Sequence, residues 1–328
     1  MIRRIACLAM AALFTVAAAR ADELKELNFG VIATDSSAAI KQRYEPLFHD
    51  LEQALGIPVK FFFAGDYAGV IQAMRFGKVQ IARFGNKSAA EAVDRADGEV
   101  AFRAVDHDGA MGYHSVLIVH RDSNLHSVDD VLRDAATMNF GARDPTSTSG
   151  TVVPNYYVFA KRGVDSRKIF KRFVVANHEV NALSVATRQV DVATNNDVAL
   201  GRFERAQPEK YQTIRVIWTS PLIPNDPFVW RKDLPAALKA KLEKFFVAYG
   251  VEGAPETVAH GRAVLEGLKW QRIIRSSNAQ LKPTREIELF TERLKVEGNA
   301  ALAADEKARK LAEIDGRLKA LERQAEGS

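Results

Sequence analysis

Cysteine is nearly absent: Cys7 is the only one in 328 residues, so no internal disulfide can form. Long hydrophobic runs are missing too. The longest uncharged apolar stretch is residues 5–19, short of the roughly 20 residues a membrane-spanning helix takes. The signatures G-x-x-x-x-G-K-[ST], G-x-G-x-x-G and G-x-S-x-G do not occur, which argues against P-loop, dinucleotide-binding and α/β-hydrolase sites. His178-Glu179 starts like the zinc-protease motif H-E-x-x-H, but Ala182 stands at the second histidine position. His114, His120 and His126 recur every six residues. Six strand residues span about 20 Å, so these three cannot share one metal ion as a strand. No metal and no cofactor is expected. No repeat of solenoid period is present.

An excess of one charge is also lacking. The formal net charge of +5 comes from 46 basic and 41 acidic residues. Arg3 and Arg4, the apolar residues 5–19 and the Ala19-Arg20-Ala21 site form a secretory signal pattern, with cleavage expected before Asp22. Cleavage removes three arginines and no acid, leaving 43 basic against 41 acidic residues, +2, and no cysteine. That balance gives no electrostatic case for nucleic acid or an acidic membrane.

What is present is ordinary globular composition, 47% hydrophobic and 27% charged, over a length that suggests two domains. Strand-like runs at 27–33, 59–63, 79–84, 100–105, 114–119, 138–142, 172–175, 190–194 and 215–219 alternate with helical ones. Tyr44, Leu47, Phe48, Leu51 and Leu55 mark one helical face, and residues 67–75, 88–95, 152–160 and 181–187 read as further helices. Alternation of this kind predicts βαβ units and an α/β fold of two mostly parallel sheets flanked by helices. Gly109–Gly112 and the three prolines within 220–227 mark a boundary on each side. The expected division is lobe 1 over 26–115 and 225–280 and lobe 2 over 120–217, the chain crossing on the strands at 114–120 and 215–219. Residues 283–328 form a charge-rich helical extension. Leu311, Ile314, Leu318, Leu321 and Ala325 make a narrow apolar seam there, able to pack on the body or on a second copy.

Asp144-Pro145-Thr146-Ser147-Thr148-Ser149-Gly150 follows a strand and precedes a helix. A helix start leaves its first N–H groups unpaired and carries partial positive charge. Ser147, Thr148 and Ser149 placed there would cradle a tetrahedral oxyanion without a lysine; a plain N-cap is the simpler use of one such hydroxyl. Asn177-His178-Glu179, Thr194-Asn195-Asn196-Asp197 and Asn225-Asp226-Pro227 lie at other strand ends. Each alone is an ordinary turn; repeated, they suggest a shared cleft at the carboxyl ends of the strands. Tyr67 and Tyr113 could pack or reach that cleft.

These segments resemble the periplasmic phosphonate-binding proteins of ABC importers. The matching words are Asp66-Tyr67-Ala68-Gly69, Met74-Arg75-Phe76, Phe84-Gly85-Asn86, Gly112-Tyr113, 115–119, 144–150 apart from Thr146, 156–161, Asn181-Ala182-Leu183, 189–196, 220–226 and Val229-Trp230-Arg231-Lys232. The resemblance covers most of 27–275 and is weaker over the C-terminal helices. It implies a two-lobed periplasmic-binding-protein fold, type II like, that closes on a phosphonate and delivers it to a permease and its ATPase. It implies a phosphonate cradle at Ser147, Thr148 and Ser149, with Tyr67, Tyr113, His178 and Asp226 as further contacts. The family's acid for a ligand amino group would fall two places after Asn196, at Val198; the acid here is Asp197, one place earlier. Phe84 also replaces a tyrosine. Both departures concern the organic tail. Asp226, a carboxylate near an anion, could accept a remaining P–OH proton or hold an ammonium tail.

The function expected is therefore periplasmic capture of a phosphonate for import, with no catalysis. Two other readings are a binding domain reporting to a sensor, and a secreted phosphoester hydrolase using a hydroxyl of Ser147–Ser149 with His178 as base.

Overall fold

The structure is a computed structural model and describes residues 24–326. The leader expected at 1–21 lies outside the described residues. Among those described, no helix is long and apolar enough to cross a membrane.

Two sheets organise the chain. The six-stranded one runs, edge to edge, Trp270–Arg275, Gly98–Asp106, Pro227–Arg231, Ile81–Arg83, Leu27–Val31, Val59–Phe62. The five-stranded one runs Ile214–Thr219, Ser115–His120, Val192–Asn196, Asn139–Ala142, Arg172–Val175. Helices flank both. In each sheet four strands point the same way; Pro227–Arg231 and the edge strand Trp270–Arg275 are reversed in the larger, and Ser115–His120 in the smaller. Pro227–Arg231 and Ser115–His120 are the first strands to enter each lobe from the other. A chain entering at the cleft must run away from it, whereas a βα unit returns its strand's carboxyl end towards it. The reversal follows from the crossing.

The crossings themselves differ from the expectation. Strands Ser115–His120 and Ile214–Thr219 are neighbours within one sheet, and the chain changes lobe just outside them. Gly112–Tyr113 pairs antiparallel with Ile223–Pro224 in a separate two-stranded ribbon. Two residues carry no readable period, so the sequence showed only the neighbouring runs. The close approach needs the glycine: a Cβ on Gly112 would lie 2.3 Å from the Ile223 carbonyl oxygen.

Apolar cores fill both lobes. Phe29, Phe48, Phe102, Phe228, Phe246 and Trp270 pack under the larger sheet, with Phe29 and Phe48 rings 4.7 Å apart. In the smaller lobe Phe140 stacks on Phe170 at 4.4 Å. Helix Lys282–Glu297 lies against both lobes. Arg285 pairs with Asp94 on one side, while Phe290 stacks on Tyr156 on the other. Helix Ala304–Glu326 folds back on it, with Ile314 buried and Arg317 paired to Glu292. The seam is used within the chain.

Candidate functional site

Five helices begin at the carboxyl end of a strand and aim their N-termini into the space between the lobes: Tyr67–Arg75, Asn86–Arg95, the turn Thr148–Val152, His178–Ala186 and Asp197–Ala206. Their side-chain caps are Asp66, Ser147, Asn177 and Asn196. Converging helix N-termini make such a cleft attractive to anions.

The segment 144–150 is a compact cradle. Asp144 accepts from the Thr146 amide and hydroxyl through Oδ1 (2.8 and 2.7 Å) and from the Tyr67 amide of the other lobe through Oδ2 (3.1 Å). Ser147 Oγ accepts from Gly150 N at 3.1 Å. Thr148 Oγ1 accepts from Lys87 N of the opposite lobe at 2.8 Å. Ser149 Oγ accepts from Asn196 Nδ2 at 3.1 Å. All three hydroxyl residues are buried. The helix expected over 152–160 is wider than an α-helix: Thr148–Val152 and Asn155–Phe159 have π-helical bonding. Its start therefore moves forward to Thr148, which puts Thr148 and Ser149 in the first turn, where N–H groups have no helical acceptor.

Arg143 holds the cradle from beneath. It is 4% exposed, donates to Tyr67 Oη at 2.8 Å, to the Ala33 carbonyl at 3.3 Å and to the Ala176 carbonyl. These acceptors come from both lobes. Gly150 is needed against it, since a Cβ there would lie 2.1 Å from Arg143 Cγ.

His178 is fully enclosed. Asn196 Oδ1 accepts from Ala199 N at 2.7 Å, which fixes its amide with Nδ2 as donor. Nδ2 lies 3.1 Å from His178 Nε2, so that nitrogen accepts and the ring proton sits on Nδ1. His178 Nδ1 is buried with no partner in the chain. Burial, then the charges of Arg143 and Arg202, hold the imidazole well below its usual pKa. The ring is neutral at pH 7 and keeps one unpaired N–H donor.

Tyr113 donates to Asp226 Oδ1 at 3.0 Å, and Arg83 faces Asp226 Oδ2 at 3.5 Å. Burial raises the Asp226 pKa against the pull of Arg83 and Tyr113. Thr148 and Asp226 converge over Gly85: a Cβ built there would lie 3.2 Å from Thr148 Oγ1 and 3.8 Å from Asp226 Oδ1. A group able to give or share a proton fits between hydroxyl donors and this carboxyl.

A family model for periplasmic substrate-binding proteins of phosphonate ABC transporters matches residues 29–281. The chain belongs to that family. It is 48% identical to the phosphonates-binding periplasmic protein of Escherichia coli over 324 residues, covering 97% of this chain and 94% of that one. The crystal structure of a binding-protein component of an ABC phosphonate transporter from Pseudomonas aeruginosa superposes with a TM-score of 0.88 at 49% identity, over 92% of this chain and 98% of that one. PhnD1 of Prochlorococcus marinus, solved with methylphosphonate, shares the fold at 20% identity and a TM-score of 0.70, over 82% of this chain and 98% of that one.

Within this family fold, Tyr67, Tyr113, Ser147, Thr148, Ser149, His178 and Asp226 all come to the interlobe space. Asp197 does not join them. Its carboxylate accepts from His114 N and lies 3.0 Å from His114 Nδ1, and it is 43% exposed. Val198, the next residue, lines the cleft instead. Arg143, Asn196, Arg83 and Arg202 are site residues that sequence reasoning missed. Arg143 adjoins the hydroxyl word and could have been marked by that position. Asn196 was visible only as part of a turn-forming run.

Proposed function

We propose that this chain captures a phosphonate in the periplasm, between its two lobes, and passes it to a membrane permease driven by an ATPase. The observation that carries this is the donor set: three hydroxyls at a helix start, together with a buried, neutral His178 whose Nδ1–H is unpaired. Charge-assisted hydrogen bonds to a dehydrated oxyanion contribute about 1.5–3 kcal/mol each. Four to six of them, less the ordering cost, reach the roughly 8 kcal/mol of a micromolar complex. Catalysis is not supported by the same geometry. A hydroxyl nucleophile needs an adjacent base, and His178 Nε2 is turned to the Asn196 amide. The seam of the last helix packs on Lys282–Glu297, so a homodimer through that helix would have to use its other face.

Calorimetric titration of protein stripped by unfolding and refolding tests the reading. Methylphosphonate should bind at micromolar or tighter affinity, and phosphate and sulfate more weakly. Absence of heat with every phosphonate would overturn it.

A further inference from the structure

The cleft continues past Asp226 and Asn196 into a cavity of about 60 Å³ walled by Arg43, Arg83 and Arg202. It adjoins a second of about 350 Å³ bounded by the same three arginines. Asn196 and Asp226 are the link: they line the cavity, Asn196 donates to Ser149 Oγ, and Asp226 meets Thr148 above Gly85. A head group held at 147–149 would send its substituent this way.

Positive charge there is in excess: Arg43, Arg83, Arg202 and Lys269 line the smaller cavity against Asp106 and Asp226, and Arg205 joins the cations at the larger one, which no acid lines. Asp35 alone serves two guanidinium groups, Arg43 at 2.9 Å and Arg202 at 3.1 Å. Asp226 serves Arg83 while also accepting from Tyr113. The Nε of Arg83 is buried without a hydrogen-bond partner, while the Nε of Arg202 faces Asp35 Oδ2 at 3.1 Å. Burial and the repulsion of Arg43 and Arg83 pull the Arg202 pKa down even against Asp35. Val198, which faces this space, offers no acceptor. Buried guanidinium groups in excess of their carboxylates call for a further anion, and paired donors suit a carboxylate or phosphoryl group.

We infer that the preferred ligand is a phosphonate whose tail bears a second anionic group, bound by Arg43, Arg83 and Arg202, rather than an aminoalkylphosphonate. The inference rests on the phosphonate reading above and narrows its substrate class.

Stripped protein titrated with ethylphosphonate, 2-aminoethylphosphonate and 2-carboxyethylphosphonate tests it. The carboxylated ligand should bind at least tenfold tighter than ethylphosphonate, and the amine weaker than both. In Arg202→Gln the ratio of carboxylated to plain affinity should fall about tenfold. In Val198→Glu the order of amine and carboxylate should reverse. Because ratios are compared within one variant, a general loss of folding does not imitate the result. Binding of all three with the amine equal or tighter would overturn the tail inference and leave phosphonate capture standing. No binding of any of the three would overturn both.

Discussion

At the cradle end of the cleft every donor is neutral: the hydroxyls of Ser147, Thr148 and Ser149, the first amides of a helix, and His178 kept uncharged by burial. Arg143 lies beneath and donates through its two Nη atoms to Tyr67 and backbone carbonyls. At the tail end the donors are arginines, held close together with too few carboxylates to match them. Neutral donors read shape and proton content, because each must meet an acceptor at a fixed position. Guanidinium groups read charge and tolerate more variation in where it sits. One cleft thus divides the recognition of a small ligand between geometry at its head and charge at its tail.

Removing the neutral donors is the most damaging way to break this comparison. Ser147→Ala, Thr148→Ala and Ser149→Ala combined should weaken methylphosphonate binding at least a thousandfold, equivalent to about 4 kcal/mol. The fold should also lose the Ser147 cap, about 1 kcal/mol, and the hydroxyl acceptors of Lys87 N and Asn196 Nδ2. Titration beside urea denaturation separates the two. Intact affinity in the triple variant would remove the cradle from the site.

The two ends also differed in how well the sequence disclosed them. The cradle is one contiguous word, and its hydroxyls stay adjacent because a helix start holds consecutive residues in one place. The helix at Tyr67–Arg75 was legible to the residue, since its Asp66 cap and its apolar period coincide there. The tail pocket takes Arg43 from a long helix, Arg83 from a strand end and Arg202 from a helix of the other lobe. Singly, each looks like an ordinary surface charge, and only the closure of two lobes brings them together. Asp197 misled because carboxylate chemistry pointed inward, whereas His114, just before strand Ser115–His120, draws it away.

Asp226 stands where the two ends meet, and its role sharpens the comparison. A phosphonate monoanion keeps a P–OH proton that a sulfonate lacks. Asp226 can accept that proton's hydrogen bond, but towards a sulfonate it is one acceptor facing another. Methylphosphonate should therefore bind far more tightly than methanesulfonate. Asp226→Asn should narrow the gap by about thirty- to a hundredfold, or roughly 2–3 kcal/mol, because the amide can donate. The same change frees Arg83 from its carboxylate, which also favours the fully ionised sulfonate. A gap unchanged in Asp226→Asn would reduce Asp226 to a partner of Arg83 and Tyr113.

The smallest expected effect asks whether the cradle is neutral. His178 has a pKa well below 6.5 in the fold because burial penalises its charge, with Arg143 and Arg202 adding repulsion. In the unfolded chain it returns to about 6.5. Below that pH the unfolded chain binds a proton that the folded one refuses. Stability from this group is thus fully present above about pH 6.5 and is lost as pH falls towards the depressed folded value. Between pH 7 and pH 5 the loss should approach about 2 kcal/mol for a group that stays neutral throughout. His178→Gln cannot take the proton, so its stability should fall by correspondingly less over the same interval, all other titrating groups being shared. Urea denaturation of both proteins at the two pH values measures the difference. Parallel losses would mean that His178 takes up a proton in the folded protein as readily as in the unfolded chain, and that burial does not keep it neutral below about pH 6.5.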